Sequence, residues 1–530
     1  MKNYILLLLI LLGLPLATSS CNSKDKTAPV EAKIAVVAPQ ATPKITIDSL
    51  ALQQFYAQYP KLAVYQKEAT KLYQKQHFDA IWMDEKGIIE FGNTLYSKSK
   101  DLDKEGVLVS FPYEQELDAI FLETQDNNLS TTDTELMITN LYLFYAAKVY
   151  KGIDEATTKG IGWLLPRKAI SYASVLDSIM TQPKAVEKNE KVVLKQYYKL
   201  RAVLAKYRAI EQQGGWKTIE LAPYFRTYKR GDSAQAIAQI RSRLFATNDL
   251  PTDSKSTVYD AVLEQAVQKY QVRNGNKPEA VITPKLIKNL NIPVAARIKQ
   301  IMVNMERCRW ISPSVLDAPA YIMINIPSYQ LYFVKNNQTV LRSNVVVGTA
   351  MTKTVIFSGK MSYIVFSPYW NVPTSIINKE VKPGMAKNKN YLDSHHMEWN
   401  NGQVRQKPGK NNSLGLVKFM FPNSHSIYLH DTPSKSLFDR ENRAFSHGCI
   451  RVEKPKELAF EILKNDKKWP QAKILAAMNA GKETTASLQN KIPVYIGYFT
   501  TWVDENDGIH FYDDVYNRDE RLAKLLFLPN

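Results

Sequence analysis

Cysteine is scarce in this chain. There are three in 530 residues, Cys21, Cys308 and Cys449. So few thiols exclude a disulfide framework, and a chain with 45% apolar residues over this length can build its cores without one. Long apolar runs are equally scarce, and beyond Leu16 none is long and uncharged enough to span a bilayer. The net charge of +18 is strongly of one sign, yet it is spread along the chain, with no block of like charge and no basic stripe interleaved with aromatics. That pattern argues against nucleic acid as a partner. No HExxH-type pair is present, which removes the usual helical ligand pair of a zinc hydrolase. Of only seven histidines, five fall between His395 and His447.

The N-terminus is the one place with a continuous apolar run. Met1-Lys2-Asn3 supplies a short positive region, Ile5 to Leu16 is of signal-peptide rather than spanning length, and Ala17-Thr18-Ser19-Ser20 places small residues before Cys21. This resembles a bacterial lipoprotein signal. The resemblance implies a signal over 1–20, a lipid on Cys21, and a cell-envelope protein facing the periplasm and tethered to the membrane. Its excess of Lys and Arg would then suit an anionic surface such as cell-wall polymer or lipid headgroups. Cys308 and Cys449 remain, and a bridge between them would silence whichever is reactive.

Length suggests roughly three domains of ordinary size. Residues 21–44, rich in Ala, Pro, Lys and Val without periodicity, read as a flexible linker. Over 45–227 apolar residues such as Leu136, Leu141, Phe144 and Ala147 recur at spacings of three and four, with polar residues between, which predicts a helical domain. Residues 228–291 form a smaller unit. Gly231-Asp232 is expected to open a first helix, Asp260 to cap a second and Thr283-Pro284 to start a third. A connector is expected over 292–318. From 319 to 502 the period becomes two, as in Ile322, Ile324 and Ile326, which predicts a β domain with a late strand from Val494 to Trp502 closing its sheet. Pro455 opens a helix to about Leu463, and 503–530 is a C-terminal extension. Residues 375–419 are polar, lysine-rich and broken by Pro-Gly pairs, and read as a lid-like insertion.

Chemistry concentrates in Arg443 to Val452, with the sequence RAFSHGCIRV. A thiol needs a basic or cationic neighbour to become a nucleophile at neutral pH, and His447, Arg451 and the upstream His430 can supply one for Cys449. Gly448 lets substrate approach the backbone, where successive N–H groups can form an oxyanion hole. In Ser426 to His430 alternation puts Ile427 and Leu429 on one face and Tyr428 and His430 on the other, facing a cleft. Asp431 should point away from His430, so a backbone carbonyl is the better group to orient the ring. His447, two residues from Cys449, stays open as an alternative base. Arg451 could hold a carboxylate, lower the thiol pKa, or pair with Glu453. Trp370 and Asn371 are candidates to line the cleft, and His395 and His396 read as surface or packing residues.

His430-Asp431-Thr432 followed by Ser446-His447-Gly448-Cys449-Ile450-Arg451 resembles the L,D-transpeptidase (YkuD-domain) family. FSPYWNVP at Phe366 to Pro373, VKFMFPN at Val417 to Asn423 and YLHDTPSKSLF at Tyr428 to Phe438 resemble its large periplasmic, YcbB-like subgroup. Two departures stand out: Arg451 where many members have Asn, and Cys308 where the subgroup usually has an aromatic. The resemblance implies a multidomain α+β chain: a helical scaffold, a three-helix peptidoglycan-binding module at 228–291, and a mostly β catalytic domain with a capping insertion. It implies Cys449 as nucleophile and His430 as base, with Gly448, Tyr428 and the Cys449 N–H as oxyanion candidates. The substrates would be peptidoglycan stem peptides, with no cofactor or metal, and carbapenems would acylate the thiol. Rival readings are an L,D-carboxypeptidase, a zinc-dependent wall amidase using His425, His430, His447 and Cys449, and a non-catalytic wall-binding lipoprotein.

Overall fold

The computed structural model describes residues 45–122, 128–182 and 187–527. The signal, Cys21 and the linker expected over 1–44 lie outside them. Helices prevail to Trp310 and strands beyond it, the α+β organisation that the change of periodicity implies.

In the N-terminal region the helices are interrupted by a small hairpin of β1 (Met83–Asp84) and β2 (Gly87–Ile88). The helix Thr131–Tyr145 departs from the amphipathic expectation, because every residue from Thr134 to Tyr145 is buried. Its polar side chains therefore need partners. The Glu135 carboxylate accepts the N–H groups of Ile81 at 2.7 Å and Trp82 at 3.0 Å and the Tyr73 hydroxyl at 2.9 Å, while Asn140 accepts the Tyr56 hydroxyl at 3.1 Å.

Residues 228–291 form the three helices Gln235–Ala246, Ala261–Arg273 and Pro284–Leu290 around their own core of Ile237, Ile240, Leu244, Leu263, Val267 and Ile287. Asp260 and Thr283 cap the second and third, accepting from Leu263 at 2.9 Å and Leu286 at 3.3 Å. The first helix starts later than expected. Asp232 instead closes a turn by accepting the Lys229 N–H at 2.8 Å, and helix begins at Gln235. Lys285 of this module forms an ion pair with Glu441, close to the Arg443 to Val452 tract.

The expected connector over 292–318 is instead a core element. Val294–Trp310 is one helix packed between the helices Lys195–Gln212 and Arg518–Phe527, with Ile301, Met305, Cys308 and Trp310 buried. Its buried charges are met by partners on the same helix and in distant parts of the chain. Arg309 is bonded to Glu306 at 2.7 Å, to the Val149 carbonyl at 3.0 Å and to the Glu105 carbonyl at 2.6 Å. Glu306 also accepts the Trp310 indole at 2.7 Å and the Ile153 N–H at 2.6 Å, and Arg307 pairs with Asp519 at 2.6 Å.

The β region runs β3 (Ala320–Asn325), β4 (Gln330–Lys335), β5 (Gln338–Gly348) and β6 (Ser358–Phe366). An insertion then contributes β7 (Trp370–Asn371), β8 (Met397–Asn400) and β9 (Gln403–Gln406). It is followed by β10 (Val417–Met420), β11 (Leu429–His430), β12 (Ala444–Ser446), β13 (Ile450–Val452) and β14 (Thr484–Gly497). The main sheet has the order β12-β5-β13-β11-β10-β6-β14-β3-β4, and β4 also pairs with β5. The sheet thus closes on itself through the β4–β5 pairing, not through the late strand. β14 begins ahead of Val494, ends at Gly497, and lies inside the sheet between β6 and β3. Thr501–Val503 (β15) pairs instead with Ile509–Phe511 (β16), and the extension beyond is folded, with Tyr516 and Leu522 buried. The insertion has its own three-stranded sheet and a core of Val372, Ile376, Ile377, Val381, Met397 and Val404. It takes in Trp370 and ends before Val417, which already pairs with Phe366 in the main sheet.

Removing the Glu306 carboxylate leaves Arg309 buried and underpaired, a change that typically costs about 3–5 kcal/mol. Glu306→Ala should therefore lower the thermal unfolding midpoint clearly. Glu306→Gln, which keeps an acceptor, should lower it less; equal midpoints for wild type and Glu306→Ala in differential scanning fluorimetry would count against this account.

Candidate active site

Two residues of parallel pairing build the site. β11 and β13 pair with Leu429 opposite Ile450 and His430 opposite Arg451, and the Ile450 N–H donates to the Tyr428 carbonyl at 3.2 Å. Extending that register by one pair of steps places Cys449 opposite Tyr428. Because side chains alternate, Tyr428, His430, Cys449 and Arg451 share one face, while Ile427, Leu429, Ile450 and Val452 fill the core on the other. His430 and Cys449 are then diagonal neighbours across the two strands, a spacing that long side chains bridge.

His430 is buried, 5% exposed, rather than lining an open cleft. Its Nδ1 lies 2.5 Å from the backbone carbonyl of Asp431. A carbonyl can only accept, so Nδ1 carries the proton and Nε2 keeps its lone pair. The Asp431 carboxylate is engaged elsewhere, accepting the Leu416 N–H at 2.9 Å and the Lys435 ammonium at 2.6 Å. Burial first and the Arg451 cation second lower the His430 pKa to about 3. The imidazole is therefore neutral throughout the physiological range.

Cys449 is half-buried and free, with Sγ 3.6 Å from the Ser426 carbonyl. Burial pushes its thiol pKa up, outweighing the opposite influence of the neighbouring Tyr428 and of the Arg451 cation. The sequence expectation of a cationic neighbour strong enough to form thiolate at neutral pH is thus corrected: desolvation outweighs the cation. At rest the thiol is neutral and directed at the Ser426 carbonyl, and the neutral imidazole, with its Nε2 lone pair free, stands on the same sheet face. Cys308 is fully buried and remote in role, its thiol pushed up to about 12 by burial, and no disulfide joins it to Cys449.

Arg451 has no carboxylate partner among the described residues. Its Nε is buried without a hydrogen bond, and burial lowers its pKa. Glu453 instead accepts the Asn344 N–H at 3.4 Å. The Gly448 N–H is also not open to substrate, because it donates to Ser446 Oγ at 3.1 Å, and Ser446 Oγ in turn donates to the Cys449 carbonyl at 2.5 Å. This corrects the expectation for that donor and leaves the Cys449 N–H and Tyr428. Gly448 is nonetheless required by its backbone, at φ +117°.

His447 is exposed, its Nε2 3.3 Å from Glu380 of the insertion. Trp370 packs against the insertion's core and Asn371 is exposed on its sheet, so these two belong to the lid rather than to the strand pair carrying Cys449. His395 stacks on Tyr391 at 4.0 Å, and His425 packs edge-on against Phe357 at 4.9 Å. Among the described residues no three His, Cys, Asp or Glu side chains converge as a metal-ligand set. Sequence reasoning missed Ser446 and Thr354, whose Oγ1 donates to the Gly448 carbonyl at 2.9 Å. Ser446 was legible in the SHGC tract; nothing in the sequence singles out Thr354.

Residues 319–473 match the L,D-transpeptidase catalytic domain family (YkuD), and residues 67–204 match the scaffold domain family. A putative L,D-transpeptidase of Haemophilus influenzae is 34% identical over 245 residues, covering 42% of this chain and 49% of the relative. The chain thus spans about half the length of that curated relative. An L,D-transpeptidase structure from Mycobacterium smegmatis is 9% identical over 34% of this chain and 58% of its own, with a TM-score of 0.20. One from Stackebrandtia nassauensis is 13% identical over 51% of this chain and 94% of its own, with a TM-score of 0.22. The β region, with its His, Cys and Arg on one sheet face, is the part of the chain that the catalytic-domain family matches. Specifically, this chain carries the catalytic domain of the L,D-transpeptidase family behind a scaffold domain.

Alkylation of Cys449 by iodoacetamide should rise with pH through a midpoint above about 8.5, the ordinary thiol value, with no step near about 6.5 from His430. Arg451→Met should move that midpoint higher, since the thiolate loses its cation, while Cys308 stays unmodified in the native protein. A midpoint below the ordinary thiol value would contradict the account of Cys449. The His430 shift also sets a pH dependence of stability. The unfolded chain takes this proton near 6.5 and the folded one only near 3, so the contribution is full above 6.5 and is lost as pH falls toward 3.

Proposed function

We propose that this protein is a peptidoglycan L,D-transpeptidase that forms 3→3 cross-links between stem peptides. The Cys449 sulfur attacks the carbonyl at the L-centre of diaminopimelate in a donor tetrapeptide. His430 Nε2 takes the thiol proton and returns it to the departing amine, so that D-alanine leaves and a thioester remains. The side-chain amine of diaminopimelate in a neighbouring stem then attacks the thioester, His430 accepting its proton, and the thiol is regenerated. One amide is exchanged for another, so no ATP is required. The Cys449 N–H and the Tyr428 hydroxyl are the donors available to the oxyanion. Arg451, with no carboxylate partner among the described residues, would hold one from a stem peptide. The observation that carries this reading is the shared face of Tyr428, His430, Cys449 and Arg451, with His430 fixed in the tautomer that leaves Nε2 free. The catalytic-domain match over 319–473 supports it.

Attachment to the membrane through a lipid on Cys21, and a place in the envelope facing the periplasm, belong to the same proposal. They rest on the N-terminal sequence.

Incubation with a disaccharide-tetrapeptide should give 3→3 dimers and free D-alanine by mass spectrometry. Cys449→Ala should abolish both, and His430→Ala should lower the rate by about 10²–10⁴-fold, the range of a lost general base. Tripeptide without dimer would reassign the protein as an L,D-carboxypeptidase. Undiminished turnover by Cys449→Ala would remove the thiol mechanism altogether.

A further inference from the structure

The tract carrying Cys449 is held from behind by a loop and by the C-terminal extension, which lies beyond the matched catalytic region of 319–473. Thr354, fully buried, donates through Oγ1 to the Gly448 carbonyl at 2.9 Å and accepts the Gly348 N–H at 2.9 Å. Thr352 Oγ1 and the Thr349 N–H both donate to the Ser446 carbonyl, at 2.9 and 3.0 Å. The loop from Gly348 to Thr354 folds tightly. A Cβ on Gly348 would lie 2.0 Å from the Thr352 carbonyl oxygen and 2.8 Å from the Thr354 nitrogen.

One hydroxyl holds both ends of that loop. Tyr516 accepts the Thr354 N–H at 3.2 Å and donates to the Gly348 carbonyl at 2.7 Å. Tyr516 is 3% exposed, its own N–H donates to the Tyr498 hydroxyl at 2.8 Å, and the two rings stack with centroids 5.7 Å apart. The phenol is thus fixed by its surroundings rather than free to follow the loop.

The consequence lies in a single peptide unit. In a trans peptide the C=O and the following N–H point in opposite directions. By holding the Gly448 carbonyl on the loop side, Thr354 aims the Cys449 N–H away from the loop. Gly448, at φ +117°, is free to accept that orientation. With the Gly448 N–H consumed by Ser446, the Cys449 N–H is the backbone donor left for an oxyanion.

We infer that Tyr516 and Thr354 are positioning residues that set the Gly448–Cys449 peptide so that the Cys449 N–H faces the developing oxyanion. This rests on the proposed acyl transfer by Cys449 and adds to it a dependence on the C-terminal extension. An oxyanion donor that is lost costs about 10²–10³-fold in rate, so one misaimed should cost at least about 10-fold. Attack on iodoacetamide forms no oxyanion and should be insensitive.

The experiment compares full-length wild type, Tyr516→Phe, Thr354→Val and Thr354→Ser by intact-mass kinetics. The acyl probe is a carbapenem, whose β-lactam C–N bond breaks as the S–C bond forms, the thiol proton ending on the ring nitrogen. The control is iodoacetamide alkylation of Cys449. Acylation should slow at least about 10-fold in Tyr516→Phe and Thr354→Val and return to within about 3-fold of wild type in Thr354→Ser, while alkylation stays within about 2-fold in all. Wild-type acylation rates in both Tyr516→Phe and Thr354→Val would overturn the inference. So would a parallel loss of acylation and alkylation, which marks a damaged fold or thiol pocket. If wild-type Cys449 takes no acyl group, the acyl-transfer reading falls and this inference with it; if it is acylated but releases no D-alanine from tetrapeptide, only the substrate reading falls.

Discussion

The short parallel pairing of β11 with β13 is the constraint on which the site depends. It sets Leu429 against Ile450 and His430 against Arg451. A slip of one residue on either strand would turn that strand's polar side chains into the core and its apolar ones outward, breaking the constellation and the packing together. The chemistry is therefore protected by the same apolar residues, Leu429, Ile450 and Val452, that give the sheet its interior. Register and reactivity are one feature here.

Burial then decides the electrostatics. Arg451 next to Cys449 would by itself favour thiolate, yet desolvation raises the thiol and drives the imidazole toward permanent neutrality. In the proposed acyl transfer, charge separation would be deferred to the moment of bond formation, when the oxyanion and the imidazolium form together. In such a site the aim of the backbone donors matters more than a preformed ion pair. The hydroxyls of Ser446, Thr354 and Tyr516 stand behind Cys449 as a layered support whose members come from widely separated parts of the chain.

The helix Val294–Trp310 extends that logic to the whole protein. Its buried Arg307 and Arg309 are tolerated because Glu306, Asp519 and carbonyls from the N-terminal region meet them. The scaffold region and the C-terminal helix are thereby tied to one element. The partners Asp519, Val149 and Glu105 lie far from this helix in the chain, so the segment expected to be a connector shows its core role only in the fold.

Much of the fold and the heart of the site could be read before any coordinates. The alternation of Ile427 to His430, the thiol between Gly448 and Ile450, and the caps Asp260 and Thr283 are local signals, and local signals survive into the structure because backbone geometry fixes them within a few residues. The errors share one cause. The buried helix at 294–310, the place of β14 inside the sheet, closure through β4 and β5, the engaged Gly448 N–H and the raised Cys449 pKa all depend on what lies across a contact rather than along the chain. The sequence by itself determined which residues could do chemistry and on which face of a strand they stand. Tertiary structure alone decided which of them are dry, which hydrogen bonds are already taken, and that Tyr516 sits behind Cys449, because burial and long-range hydrogen bonding have no period that a sequence can display.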